Sequence, residues 1–182
     1  FLTKSTNELT LKLGAKVVGA SDSSYVQGPV KKIGNTAFVF PTGINNSYRP
    51  IEISAPSTTT SEFIAEFKDD SVSVNTNTKD TTLARLIREQ YWNLNRTSGT
   101  SQVYVTLSWN SLSTLIDTIV TIASWNGSQW KDMGKGILEG NNSFGKLQSN
   151  VAATSYNQFI IAFSGSSGIL IPPACQEIET AY

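Results

Sequence analysis

The stretch Gln102-Val103-Tyr104-Val105-Thr106-Leu107-Ser108-Trp109, QVYVTLSW, alternates large apolar residues with Tyr, Thr and Ser. Successive side chains of a β-strand point to opposite faces of its sheet. Residues 103, 105, 107 and 109 would therefore share one face, and the more polar residues would share the other. This pattern is typical of an antiparallel sheet that covers a hydrophobic core with one face and meets solvent with the other.

The same period of two recurs along most of the chain. Leucines alternate over 8–13, and Phe63, Ala65 and Phe67 alternate over 61–67. Further apolar or β-branched runs occupy 37–40, 48–53, 116–125 and 151–163, with Gly, Asn, Ser and Pro between them. Many short strands separated by turn residues predict an all-β fold, here an antiparallel β-sandwich of the Ig-like or jelly-roll type.

One segment departs from this pattern. Residues 82–89, TLARLIRE, have the composition of a short helix that Asp80 would cap. A strand leading into Tyr91 and Trp92 suits the same residues. We expect a short helix or an irregular crossover at this point, and at most one helix in the chain.

The length of 182 residues allows one sizeable core without metals or disulfides. We expect residues 1–44 to form an N-terminal β extension that packs on the sandwich like the cap of a solenoid. Residues 45–171 would form the sandwich, and residues 172–182 would be an exit segment to a following domain. The chain starts at Phe1 without an initiator Met or a recognisable signal peptide, so we interpret it as a piece of a longer protein.

Composition argues against several classes of function. Charged residues make up only 15%, and 14 Lys and Arg balance 14 Asp and Glu, so no net field favours nucleic acid. No apolar run is long enough to span a bilayer. A single cysteine, Cys175, excludes an intrachain disulfide, and the absence of histidine excludes Ser-His-Asp and Cys-His catalysis.

The chain is therefore not expected to be an enzyme. Glu62 and Glu66 share a predicted strand face, but four residues along a strand separate them by about 13 Å. That distance exceeds even the spacing of an inverting glycosidase. Two solvated strand glutamates are the better interpretation.

Two of the four tryptophans, Trp125 and Trp130, flank Asn126-Gly127 in the stretch SWNGSQW. Asn-Gly favours a two-residue hairpin turn, which would place Trp125 opposite Ser128 and both indoles on one face as diagonal neighbours. Two such indoles suit either a platform that stacks on sugar rings or the apolar core of a hairpin.

A second candidate site is the loop that carries Asp69, Asp70 and Asp80 together with several asparagines. Calcium takes six to eight oxygen ligands from carboxylates, amides and carbonyls. These residues could bind Ca²⁺, but the spacing of an EF-hand is absent, and a solvated loop is the simpler interpretation. No other cofactor is expected.

Three stretches, taken in their order along the chain, carry a family resemblance. They are SSYVQGPVKKIGN at 23–35 with FVFPTG at 38–43 and YRP at 48–50, then QYWNLNRTSGT at 90–100 with VTLSW at 105–109, then ASWNGSQW at 123–130 with a late strand at Phe159. Together they resemble an extracellular module of large secreted and cell-surface proteins of Bacteroidetes that are exported by the type IX secretion system. The resemblance implies a non-catalytic β-sandwich located outside the cell or on its surface.

That resemblance also implies a modification. Bacteroidetes attach O-glycans at Asp followed by Ser or Thr and then an apolar residue or Thr, a pattern that occurs here three times. The acceptors would be Ser71, Thr81 and Thr118. Loops rich in Asp, Ser and Thr produce the same pattern without any modification.

We expect a structural or adhesive module whose partners are the neighbouring domains of its parent protein. One alternative is a carbohydrate-binding module that uses Trp125 and Trp130 to hold a polysaccharide or glycan. Another is a homo-oligomeric filament subunit in which a terminal strand, 8–13 or 168–171, adds to the sheet of the next copy. Pairing of both terminal strands within their own chain is the simpler arrangement.

Overall fold

The computed structural model describes residues 7–112 and 120–165, and this part of the chain contains fifteen strands. Most strands are short and are separated by turns, as the alternation predicts. The strands are β1 Leu9–Leu11, β2 Val30–Ile33, β3 Phe38–Phe40, β4 Gly43–Ile44, β5 Ser47–Tyr48, β6 Ile51–Ile53, β7 Glu62–Lys68, β8 Leu83–Leu86, β9 Tyr91–Ser98, β10 Val105–Asn110, β11 Val120–Trp125, β12 Trp130–Asp132, β13 Leu138–Gly140, β14 Phe144–Gln148 and β15 Gln158–Ser164.

Two sheets packed together confirm the all-β sandwich class. The larger has eight strands in the order β1-β2-β7-β9-β15-β11-β12, with β8 pairing with β15 outside this path. The smaller has five strands in the order β13-β14-β10-β6-β3, and β4 and β5 form a separate two-stranded ribbon. All pairs between strands are antiparallel except the parallel pair β1–β2.

The main core lies between the two sheets and uses the predicted faces. Phe63, Ala65 and Phe67 of β7 are buried in it, as are residues 103, 105, 107 and 109 of the QVYVTLSW stretch. Trp92 and Trp109 are also buried, and each indole N–H donates to a carbonyl, that of Arg49 at 3.0 Å and that of Asn141 at 2.7 Å. A buried indole therefore gains apolar contact without leaving its polar atom unpaired.

Residues on both sides of position 44 share this core. β1 and β2 lie in the eight-stranded sheet, β3 lies in the five-stranded sheet, and Phe38 and Phe40 pack in the same cluster as Trp109. The extension predicted for 1–44 thus supplies strands to the sandwich itself. Lys32 fastens the loop after β1, because its buried ammonium donates to the carbonyls of Lys12 and Ala15 at 2.8 and 3.3 Å.

A second core covers the outer face of the eight-stranded sheet. Leu83, Leu86, Tyr91 and the two tryptophans of SWNGSQW pack there with residues of β11 and β15, under Val72 and Val74. β11 is buried along its whole length, because one face contacts the main core and the other contacts this second core. Strands covered on both faces become continuously apolar, as residues 159–163 of β15 are.

The prediction of a short helix over 82–89 was wrong, and the strand alternative is confirmed. Residues Leu83–Leu86 form β8, which pairs with β15 through a register shift at Phe163/Ser164. The shift buries Leu83 and Leu86 on the same side although they are three residues apart. A bulge of this kind imitates the i, i+3 spacing of a helix, which explains the error.

Several predictions fall on residues that the structure does not describe. Thr118, Cys175, the strand expected at 168–171 and the exit segment 172–182 lie outside the described residues. Over the ranges that are described, we find no helix with the length and apolar character needed to cross a membrane.

Candidate functional site

The SWNGSQW hairpin differs from the expected geometry. Trp125 pairs directly with Trp130, and residues 126–129 form a four-residue loop, so the predicted two-residue turn and the diagonal arrangement were wrong. Asn126 explains the wider loop, because its side-chain oxygen accepts the backbone N–H groups of Ser128 and Gln129 at 3.0 and 2.9 Å. This Asx-type bonding offers the loop an alternative to the tight turn.

The two indoles form the apolar centre of the second core. Their rings lie 5.7 Å apart at an angle of 58°, and Trp125 and Trp130 are only 8% and 0% exposed. Residues 72–80, the crossover between β7 and β8, cover them, because Trp130 Nε1 donates to the carbonyl of Asn75 and its backbone N–H donates to that of Thr78. A sugar platform needs open ring faces. The geometry therefore agrees with the hairpin-core interpretation.

The candidate calcium ligands lie in different environments. Asp80 accepts from the backbone N–H of Asp132 and the ammonium of Lys131, both at 3.0 Å. Asp70 accepts only from the neighbouring Ser71 N–H among the contacts described. No group of three His, Cys, Asp or Glu residues converges as a metal site within 7–112 and 120–165. Asp80 instead ties the crossover to β12.

The charge of Asp80 is stabilised by these contacts. Burial opposes ionisation of the carboxyl, but the Asp132 N–H and the Lys131 ammonium outweigh it and lower the pKa of Asp80 below its usual value. Thr81, the neighbouring candidate O-glycan acceptor, is exposed, and so is Ser71. Modification of either remains a prediction.

An open groove crosses one end of the five-stranded sheet, at a place that sequence reasoning missed. Its volume is about 340 Å³, and it lies between Tyr48 and Pro50 on one side and the β13–β14 hairpin on the other. Phe144, at the start of β14, is 63% exposed and forms part of the wall. Exposed aromatic rings beside a concave surface are typical of ligand sites.

Two glycines allow close packing in the wall of this groove. A side chain at Gly145 would overlap the Trp109 ring, and one at Gly140 would overlap the backbone of Phe144. Trp109 of β10 is paired with Gly145 of β14, so the indole packs against a strand that has no side chain at that position. The large ring of one strand thus fills the place left by the glycine of the next.

Polar groups line the same groove. Lys146 lies 3.3 Å from a carboxylate oxygen of Glu52 and 3.6 Å from one of Glu139, and Ser108 donates to the carbonyl of Pro50 at 2.8 Å. Burial lowers the pKa of Lys146, but the two carboxylates outweigh it and raise the value overall. Burial, with the charge of Glu52, also raises the pKa of Tyr48, so both groups keep their protons at neutral pH.

The strand glutamates considered for catalysis are bound up in surface contacts. Glu62 accepts from Thr97 at 3.2 Å and lies 3.9 Å from Lys31, and Glu66 pairs with Lys68 at 2.7 Å. The sequence signal that could have pointed to the groove instead is the run Gly140-Asn141-Asn142-Ser143-Phe144-Gly145, an aromatic residue between turn residues. No protein-family model, curated protein or solved structure matches the chain.

Proposed function

We propose that the chain is a non-catalytic structural and adhesive module of a secreted or cell-surface bacterial protein. The observation that carries the adhesive role is the groove beside Phe144, since a large exposed aromatic side chain at a concave surface favours binding. The secreted context rests on the resemblance of the three ordered stretches. The structural role is supported by two cores on the two faces of one sheet.

The side chains that line the groove favour a neutral carbohydrate as the ligand. Aromatic rings such as those of Phe144 and Tyr48 pack against the apolar C–H face of a sugar. Glu139 and Lys146 offer acceptors and donors that suit pairs of hydroxyl groups. One ammonium stands between two carboxylates, which disfavours an acidic ligand. The carbohydrate-binding alternative therefore moves from Trp125 and Trp130 to this groove.

The test compares Phe144→Ser with Tyr104→Ser on a glycan array and on neutral polysaccharides. Tyr104 is a fair control, because it is also exposed, at 42%, and does not line the groove. We expect the first variant to lose at least tenfold in affinity, about 1.4 kcal/mol, and the second to bind like the wild type. Equal binding by both variants, or no binding by the wild type, would reject the groove as the adhesive site.

The filament alternative depends on the edge of β1. This three-residue strand pairs with β2 in its own chain, and the N–H of Leu9 donates to the carbonyl of Pro29. By alternation, the N–H of Thr10 faces away from β2 and is the group that an added strand would use. Sedimentation of the wild type and of Thr10→Pro tests this directly. Polymers that Thr10→Pro abolishes would support the filament, and a monomer at high concentration would reject it.

A further inference from the structure

A basic cleft lies next to the second core, away from the Phe144 groove. It has a volume of about 410 Å³ and forms where the crossover residues Thr76 and Asn77 meet β8 and the residues after it. Three cationic side chains line it, those of Lys79, Arg85 and Arg88. The volume falls within the range of small-ligand pockets, roughly 300–1,000 Å³.

The three cations are held by neutral partners. Arg88 Nη1 donates to the hydroxyl of Thr76 at 3.0 Å, and the Lys79 ammonium donates to the carbonyl of Leu83. The guanidinium of Arg85 lies 5.9 Å from the centre of the Phe163 ring. Such partners orient a cation without cancelling its charge.

Four lysines elsewhere in the described residues are neutralised by carboxylates. Lys31, Lys68, Lys131 and Lys146 each pair with a carboxylate, whereas Lys79, Arg85 and Arg88 form no ion pair within residues 7–112 and 120–165. Glu89 is the one acidic residue among those that line the cleft. Its carboxylate accepts a hydrogen bond from the backbone N–H of Arg88 at 2.9 Å. The cleft therefore keeps an excess of positive charge in a chain whose net charge is zero.

We infer that this cleft binds the sulfate or phosphate ester group of an acidic polysaccharide. Guanidinium groups present a planar fork of N–H donors that matches the oxygens of a tetrahedral anion. Asn77 adds an uncharged donor, and a concave wall concentrates the local field. The space exceeds that of a bare anion and suits an anion attached to a sugar ring.

Three cations in one cleft are too few for a nucleic acid. Binding to a phosphodiester backbone uses many phosphate contacts along a basic surface, and this chain has no net positive charge to provide one. The inference is independent of the proposed function. The basic cleft uses other residues, carries an excess of positive charge and lies on the eight-stranded sheet, whereas the Phe144 groove lies on the five-stranded sheet.

The experiment measures binding of the wild type to dextran sulfate, neutral dextran, inorganic sulfate, inorganic phosphate and a single-stranded oligonucleotide by calorimetry at low salt. The variants are Arg85→Gln and Arg88→Gln, singly and together, with Lys16→Gln as a control of equal charge change. Lys16 is exposed and lies beside β3, in the other sheet. Melting temperatures establish that each variant is folded, which is expected because Arg85 and Arg88 are exposed.

We expect dextran sulfate to bind and neutral dextran not to bind. Each arginine variant should lose at least tenfold in affinity, the double variant at least fiftyfold, and Lys16→Gln less than twofold. Dextran sulfate that binds much more tightly than inorganic sulfate or phosphate assigns the cleft to an ester on a polymer, and equal affinities assign it to the free anion. No binding of any anion, equal losses in the control, or tighter binding of the oligonucleotide would overturn the inference.

Discussion

Asp80 offers the sharpest test of the structure, because two interpretations of it make opposite predictions. As a calcium ligand it would act with Asp69 and Asp70. In the structure it joins the crossover to β12 through the backbone N–H of Asp132 and the side chains of Lys131 and Gln129. The Asp80→Ala variant would remove all three of these contacts.

The size of the effect follows from the kind of each contact. A hydrogen bond from a backbone N–H to a carboxylate contributes about 1.5–3 kcal/mol. The partly exposed ion pair with Lys131 adds about 0–1 kcal/mol. We therefore expect Asp80→Ala to lower the free energy of unfolding by about 1.5–4 kcal/mol, which corresponds to roughly 3–16 °C in melting temperature.

The control is Asp70→Ala, since Asp70 accepts only from its neighbour Ser71 in the contacts described. Urea unfolding at pH 7, with and without calcium, should show a change below about 0.5 kcal/mol for this variant. Calcium should leave the difference between Asp80→Ala and the wild type unchanged. A calcium-dependent stability that both variants lose would refute the structural role.

The pH dependence gives a second check through Asp80→Asn. The pKa of Asp80 is lowered in the folded state, so its charge stabilises the protein fully above the unfolded value of 3.8 and loses this effect as the pH falls through the lowered pKa. The difference in unfolding free energy between the wild type and Asp80→Asn should therefore shrink on going from pH 7 to acid. A difference that does not change with pH would show that the charge of Asp80 is not engaged.

Three further outcomes test other parts of the structure. Acrylamide should barely quench the tryptophan emission of the wild type, because the indoles are buried. Trp130→Phe should lower the free energy of urea unfolding by about 1–3 kcal/mol, since it loses buried volume and the hydrogen bond to Asn75. Gly145→Ala should cost about 1–3 kcal/mol, because the new methyl group overlaps the Trp109 ring, and calorimetry measures the lower melting temperature. Lys32→Met should keep the fold but release the loop before Lys16, so trypsin should cut there faster.

The alternation of side chains was sufficient to predict the fold class and much of the main core. The faces of β7 and β10 depend only on a period of two, which is a local property of an extended chain. The burial of Trp109 followed from the same reasoning. These features were predictable because each needs only one buried face within one strand.

The candidate sites were harder to predict, because each depends on segments distant in sequence. Trp125 and Trp130 are buried by the crossover at 72–80, about fifty residues away, and no local pattern indicates that cover. The groove requires Tyr48 and Pro50 to lie across from the β13–β14 hairpin. The run at 140–145 marks Phe144 as an aromatic residue among turn residues, but the groove itself forms only when these elements are assembled.

By itself, then, the sequence determined that this chain forms strands and which faces of them are apolar. The tertiary structure alone decided that the crossover at 72–80 covers the SWNGSQW hairpin, that a bulge turns the helix-like segment at 82–89 into β8, and that Asp80 binds β12. The physical reason is the range of the interactions. Strand periodicity depends on residues that are adjacent in sequence, whereas burial and charge pairing depend on contacts that exist only after distant segments have packed together.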